Sequence, residues 1–521
     1  MNARLLCAGL LVGAAPVPLP ASPLFSQDTT AGKAVYVKWC AGCHGDTGAG
    51  DGPAAHYMLP RPRDFTGAVY QIRSTASGQL PTDADLMRAV DLGLPGTAMP
   101  AWAKRLSDRE RRDVVAYLKT FSAFFTDTSQ HATPLVFSKP PSGGAEAIKV
   151  GRQFFDSIGC RKCHGLQGRG NGTSAPTLHD DAGNPIFAAD LTQNWRFHGG
   201  GETEDIYHRL RTGLDGTPMP SFSDQIDQKF LTDEQLWHLA QYIRSLSPDR
   251  PPEVHDVIHA ARVGTLPTTP GDSAWGRVVR NWIPLSGQVI HKSRWFAPAV
   301  SGVWVQALHD GKALSLRVSW DDRSKSPDST WLGFTAKVLA AMASDDSTPL
   351  AADLWPDRLI VQFPMTIPSG FERPYFLMGS PTQPVYQWRW GSAPPPAGNV
   401  MAGLARGIER FDSLPGSTAA VRGQAVYDQG QWQVVLTRSL ATADSTNQLQ
   451  FQTGRAIPVA FFAADGSNGE TGTRLGVSAW YFLALDMPVS SRVFVVPLVA
   501  AALTFGLGAL LVRRAQRPQS G

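Results

Sequence analysis

Two pentapeptides in this 521-residue chain carry side chains able to hold iron: Cys40-Ala41-Gly42-Cys43-His44 and Cys160-Arg161-Lys162-Cys163-His164. Two thiols at that spacing can form two thioethers to one porphyrin, and the adjacent imidazole then supplies an axial nitrogen. The pattern implies two covalent haem c groups, attached through Cys40 and Cys43 and through Cys160 and Cys163, with His44 and His164 as proximal iron ligands. Iron held in this way moves single electrons. The first expectation is therefore an electron carrier with no catalytic residue of its own.

A second pair of segments offers the sixth ligand. Leu94-Pro95-Gly96-Thr97-Ala98-Met99-Pro100 is answered by Leu214-Asp215-Gly216-Thr217-Pro218-Met219-Pro220. In each half 55 positions separate the motif histidine from the methionine, and 120 positions separate Cys40 from Cys160 and Met99 from Met219. A lone methionine is normally core filler. Here the matched spacing, and a following proline that biases the backbone toward an extended form, nominate Met99 and Met219 as axial ligands. Histidine–methionine ligation favours ferrous iron and fills both axial positions. That argues against a peroxidase-type haem enzyme, which needs an open site. His56, His179 and His198 lie in loops and are alternative ligands or propionate contacts, with a solvated imidazole as the bland reading. Arg63 and Arg196 sit in similar-looking stretches and are candidates to pair with propionates.

The elements that must position these residues are also duplicated. Gly32-Lys33-Ala34-Val35-Tyr36 and Gly151-Arg152-Gln153-Phe154-Phe155 lead into the motifs, and Gly-rich loops follow at 48–52 and 168–172. Each half closes with an amphipathic helix, Val114 to Phe121 and Leu236 to Leu246. Ser107-Asp108-Arg109-Glu110 and Thr232-Asp233-Glu234-Gln235 open these helices in the form of capping boxes. Both halves, 27–130 and 144–250, resemble class I cytochrome c domains of mainly α fold, and together they resemble a tandem dihaem cytochrome.

Beyond a Pro-rich stop at 247–252 and a linker over 251–271, helical periodicity fades. Val303 to Leu308, Leu314 to Trp320 and Trp432 to Leu436 alternate and are rich in β-branched and aromatic residues. They predict an antiparallel β-sandwich over 272–488, with a short helix inserted near Trp331 to Met342. Asp357 to Pro364, Phe376-Leu377-Met378-Gly379-Ser380, Pro384 to Trp390 and Val459 to Phe462 resemble the haem-binding gamma subunit of ethylbenzene dehydrogenase and related molybdenum oxidoreductases, the nitrite oxidoreductase-like complexes among them. In that family the sandwich holds a b-type haem between a methionine and a lysine. The resemblance puts Met378 at the methionine, making it a candidate haem b ligand. Thr473-Arg474-Leu475-Gly476-Val477 stands where the lysine belongs, and no lysine follows Lys337. Either another residue replaces the lysine, or Met378 is a core residue and the sandwich serves for docking. The resemblance implies molybdopterin oxidoreductase subunits as partners, with a soluble cytochrome or terminal oxidase as the respiratory partner. A sensory or carbohydrate-binding module tethered near the haems is the alternative use of a sandwich.

The chain ends carry targeting signals. Arg4, the apolar run Leu5 to Ala15 and a Pro/Ala-rich stretch predict a secretory signal over 1–26, which would take the fifth cysteine, Cys7, away with it. Val493 to Val512 is a run of 20 residues without a charge. At about 1.5 Å per residue it is long enough to span a bilayer core. Arg513, Arg514 and Arg517 follow, so the positive-inside rule places the 513–521 tail in the cytoplasm. The haem domains would then sit on the periplasmic side of the inner membrane; a buried core helix is the bland alternative. A net charge of +4 falls to about zero once Arg4 and the three tail arginines are set aside, so no nucleic-acid partner is supported.

Overall fold

The computed structural model describes residues 28–127, 132–342, 350–370, 372–393, 399–414, 421–486 and 492–515. The expected signal, Cys7 and the tail beyond 515 lie outside the described residues.

The first helical domain consists of α1 (Thr29–Trp39), α2 (Ala41–His44), α3 (Asp83–Leu92) and α4 (Asp108–Lys119). The second repeats it as α5 (Ala145–Ser157), α6 (Arg161–His164), α7 (Thr203–Thr212) and α9 (Asp233–Ser245), with one added turn, α8 (Ser223–Asp227). Both expected capping boxes form. Ser107 N donates to Glu110 Oε2 at 2.8 Å while Glu110 N donates back to Ser107 Oγ at 3.3 Å, and Thr232 and Gln235 do the same for α9.

Each domain is built on one close helix crossing. α1 meets α4 at Gly32, where a Cβ would lie 2.0 Å from the Asp113 carbonyl oxygen. α5 meets α9 at Gly151, where it would lie 2.0 Å from the His238 carbonyl oxygen. Only a residue without a side chain lets the two backbones come this near. The adjacent Tyr36 and Phe155 then pack fully buried at the centres of the two cores.

The β domain contains β1 (Val257–Arg262), β2 (Asn281–Pro284), β3 (Ser286–Gly287), β4 (Gly302–His309), β5 (Ala313–Asp321), α10 (Leu332–Ala341), β6 (Arg358–Pro364), β7 (Val385–Gly391), β8 (Val400–Ala405), β9 (Phe411–Ser413), β10 (Arg422–Asp428), β11 (Gln431–Ser439), β12 (Ala456–Ala464), β13 (Gly476–Val477) and β14 (Tyr481–Leu485). The hydrogen-bonded order is β10-β11-β5-β4-β1-β14-β12-β6-β7-β8-β9. β12 is the hinge of the sheet: Ala456 to Val459 pair with β14, and Ala460 to Ala464 pair with β6. Alternate residues from both sides of that hinge, including Val305, Val318, Val361, Trp388, Val434 and Val459, fill a single buried cluster, as in a sandwich.

Two details correct the expectation. The sheet is mixed rather than purely antiparallel, because β1 runs parallel to both β4 and β14. β1 also lies inside the stretch expected as linker, so the chain enters the sheet earlier than its Pro-rich composition indicates. Long excursions connect β1 to both of its neighbours, so no hairpin turn dictates an antiparallel pairing.

The three domains share a seam. Leu59 of the first, Ala175 and Phe187 of the second, and Trp295, Trp331, Phe334 and Val338 of the β domain pack into one apolar cluster. The expected inserted helix, α10, supplies Phe334 and Val338. After the β domain comes α11 (Arg492–Ala515), whose Phe494–Arg513 window has mean hydropathy 2.4 and contains no buried residue.

The helix crossings generate a direct prediction. Gly151→Ala overpacks a backbone contact and costs about 1–3 kcal/mol. Its thermal unfolding midpoint, followed by circular dichroism, falls below that of wild type. Gly264→Ala, at a position with nothing within 4 Å of the added carbon, leaves the midpoint unchanged.

Candidate haem sites

The first motif is a single helical turn following directly on α1. It is stopped by Gly45, whose φ of 77° lies in the left-handed region that favours glycine. The Gly-rich loop then folds back over it: Gly52 N donates to Cys43 O at 3.1 Å and Gly50 N to His44 O at 2.9 Å. In the second domain Gly172 N donates to Cys163 O at 3.1 Å and Gly170 N to His164 O at 2.8 Å. The two loops are superimposable in their bonding.

Both motif imidazoles are fixed by their inner nitrogens. His44 Nδ1 lies 3.0 Å from the Arg63 carbonyl oxygen, and His164 Nδ1 lies 2.9 Å from that of Ala189. A carbonyl only accepts, so each Nδ1 carries the proton and each Nε2 presents its lone pair, as a metal-bound imidazole requires. Burial lowers the pKa of both rings, which keeps them neutral.

The methionine loops are equally matched. Leu94 N donates to Met99 O and Leu214 N to Met219 O, each at 3.1 Å. The hydroxyls of Thr97 and Thr217 accept from the Met99 and Met219 amides at 3.1 and 3.2 Å. Cys40, Cys43, His44 and Met99 all lie on the wall of one cavity of about 710 Å³, which Phe65, Leu86 and Trp102 also line. A large apolar cleft with two thiols, an oriented imidazole and a thioether on its wall fits a covalently attached haem. In the second domain Cys160 and Met219 pack against one core cluster, matching Cys40 and Met99 in the first.

The first cavity is not built by the first domain alone. Asp180, Asp181, Asn184, Ile186, His198 and Gly216 of the second domain complete its wall. The halves are fastened at this junction by ion pairs: Arg73 to Asp215 and Arg88 to Asp205, each at 2.7 Å. Arg209 adds a bond to the Arg73 carbonyl oxygen at 2.7 Å.

The remaining sequence candidates separate. His56 lies in the first cavity with its ring 4.1 Å from Tyr57, and His198 enters the same cavity from the second domain. His179 Nδ1 is 2.9 Å from the Asp180 carbonyl oxygen. Arg63 and Arg196 are not counterparts, since Ala189 holds the place in the second domain that Arg63 holds in the first. Sequence reasoning missed Arg73, Arg209 and the β-domain Arg323. Each acts across a domain boundary, and no local pattern marks such contacts.

Met378 has a left-handed φ of 62° and is only 2% exposed. Its sulfur accepts from Arg389 Nη2 at 3.7 Å, and that guanidinium lies 3.7 Å over the Phe411 ring. Leu475, also 2% exposed, belongs to the same buried cluster on the outer side of β6 and β12. Met378 and Leu475, which stands where the resemblance expects the lysine, therefore lie in one buried cluster. One of them is an alkyl chain without a lone pair, and this pair does not fit a haem ligated by two protein residues.

The repeated fold and its repeated site define two cytochrome c domains followed by a large mixed β-sheet domain. Residues 27–118 match the model of cytochrome c oxidase, cbb3-type, subunit III; 148–247 match cytochrome c; and 400–475 match ethylbenzene dehydrogenase. The chain is thus a tandem cytochrome c joined to an ethylbenzene dehydrogenase-like domain, and its two cytochrome c domains imply covalent haem c. It is 25% identical over 215 residues, 41% of this chain and 67% of the relative, to a putative respiratory nitrate reductase haem subunit of Haloferax mediterranei. It is 26% identical over 220 residues, 42% of this chain and 58% of the relative, to the cbb3-type cytochrome c oxidase subunit CcoP of Helicobacter pylori. A solved chain of the Kuenenia stuttgartiensis reducing HAO-like protein complex is 41% identical, with 42% of this chain and 97% of that one covered and a TM-score of 0.40.

Replacing Cys40 and Cys43 together by serine is expected to halve the haem that stays with the chain after acid–acetone extraction. Replacing Cys160 and Cys163 is expected to do the same.

Proposed function

We propose that this chain is an electron-transfer subunit, a membrane-anchored dihaem cytochrome c. It relays single electrons between a periplasmic molybdopterin oxidoreductase, of which it is the gamma-type subunit, and a respiratory partner such as a soluble cytochrome or terminal oxidase. The observation that carries this reading is the completion of the first haem cavity by the second cytochrome domain, which puts two one-electron sites into one fastened body.

Each bound haem supplies one-electron chemistry, and the chain's residues set its terms. His44 and His164 are the proximal ligands, oriented by the Arg63 and Ala189 carbonyl oxygens. Met99 and Met219 take the sixth positions from loops that their own hydrogen bonds hold in shape. With an imidazole and a thioether held for each iron, a bound haem would carry electrons and would offer no open site for substrate.

In this reading the β domain docks the partner enzyme, and Met378 is a core residue held by Arg389 rather than the ligand of a third, b-type haem. The ethylbenzene dehydrogenase match over 400–475 and the nitrate reductase haem subunit among its relatives support a molybdoenzyme partner. The apolar, unburied α11 is the anchor; the arginines after it favour a cytoplasmic C-terminus and periplasmic haems.

Redox titration under carbon monoxide tests the ligand assignment. Wild type is expected to bind no carbon monoxide and to titrate as two components. Met99→Leu and Met219→Leu are each expected to lower one component and to open that iron to the gas. Carbon monoxide binding by wild type would contradict the carrier reading. Met378→Leu is expected to leave the pyridine haemochrome count at two c-type and no b-type haem per chain; a b-type signal lost in that variant would restore the third haem.

A further inference from the structure

Three arginines and a histidine from all three domains converge where the two cytochrome halves meet the β domain. Arg63 and His198 line the first haem cavity, one from each half. The Arg63 guanidinium reaches across to the methionine loop of the second domain, with Nη1 3.5 Å from where a Cβ of Gly216 would stand. Arg196 follows the same junction from the other side. Its backbone oxygen lies 2.4 Å from where a Cβ of Gly96, in the methionine loop of the first domain, would stand. Its Nη1 donates to Ser301 Oγ of the β domain at 2.5 Å. Arg323 enters from the β domain with its guanidinium 4.2 Å over Phe187. Its Nε lies 3.3 Å from the Cβ position of Gly170, the counterpart of the Gly50 that lines the first cavity.

Among the described residues, no carboxylate lies within ion-pair distance of Arg63, Arg196 or Arg323. Arg323 Nε is buried without a hydrogen-bond partner. Burial, and then repulsion from Arg196 and Arg63, lower the pKa of His198; burial, and then Arg323, lower that of Arg196. The acids that act on them do so from beyond ion-pair distance: Asp180 first on Arg63, Asp190 on Arg196, and Asp190, Asp465, Asp322 and Asp321 on Arg323. Asp180 accepts from Asn184; Asp190 accepts from Thr192 and Gln193; Asp321 is paired with Arg169 at 2.9 Å. Burial, and then Asp321, push Asp190 up to about 7. Asp64 and Asp181 face Arg63 as further distant charges. Buried guanidiniums without a carboxylate at contact distance leave room for a directly bonded anion from outside the chain.

Resting on the haem placement given above, we propose that Arg63, His198, Arg196 and Arg323 form one shared cradle for the propionate carboxylates of both haems. Arg63 and His198 serve the first haem, Arg323 the second, and Arg196 stands between them. The cradle turns the propionate edges of the two groups toward one another. Through Arg323 and Ser301 it also ties them to the β domain, the element read here as the docking surface. Arg323 thereby makes the β domain part of the second haem site.

Redox titration of the full-length, detergent-solubilised holoprotein tests this, with each component assigned from the methionine variants. Removing a cation near a haem favours its ferric state. Arg63→Gln is expected to lower the component that Met99→Leu lowers, and Arg323→Gln the one that Met219→Leu lowers, each leaving the other in place. Arg63→Lys and Arg323→Lys keep the charge and are expected to restore most of each shift. Added inorganic phosphate is expected to change neither potential in wild type. Gln variants holding both haems at wild-type potentials would overturn the proposal, as would Lys variants shifted as far as Gln. Potentials that respond to phosphate would also overturn it, marking a site for a free anion. If a Gln variant loads fewer than two haems, resonance Raman spectra of the Lys variants decide. Displaced propionate bending modes support the cradle, and unmoved ones reject it. Failure of the haem placement itself shows separately, in the haem count and in carbon monoxide binding.

Discussion

The arrangement depends on one buried guanidinium. Arg73 has no exposed surface, and its donors are met by the Ala76, Tyr70 and Thr212 carbonyl oxygens and the Asp215 carboxylate. A buried charge of this kind is tolerated only when every donor is matched, and removing a partner leaves an uncompensated ion in a low dielectric. The pair adds little to net stability for that reason. What it does fix is geometry, because the second domain can dock on the first only where Thr212 and Asp215 meet that group. The completed wall of the first haem cavity follows from this docking.

Around that fastening, the glycine crossings set each helix pair, the pairs set the motif turns, and the Gly-rich loops fold back onto the motif carbonyls. The same hydrogen bonds recur in both halves to within 0.1 Å at the Gly50 and Gly170 amides. The β domain is held to this unit by the Leu59–Phe187–Trp331 seam and by the Arg169–Asp321 pair. A domain attached in this way keeps a fixed position relative to the two motif sites.

What was legible in the sequence was local or periodic. Cys-x-x-Cys-His, the paired methionine loops and the capping boxes are each contained in a few residues, and the structure places Cys40, Cys43, His44 and Met99 around one cavity. What was hidden lies in long-range contacts. β1 reads as linker because its strand character is lent by β4 and β14, and Arg323 reads as an ordinary charged residue after a strand. Met378 and Leu475 share one buried cluster, and the Arg389 guanidinium on the Met378 sulfur has no sequence signature.

The central claim is that two haem sites in one fastened body exchange electrons within the chain. It is tested most directly by reducing the holoprotein with a substoichiometric pulse of a fast one-electron donor and following redistribution between the two components. The account predicts a first-order redistribution whose rate does not change with protein concentration. A rate that rises in proportion to concentration would show that electrons pass between molecules, and would contradict it.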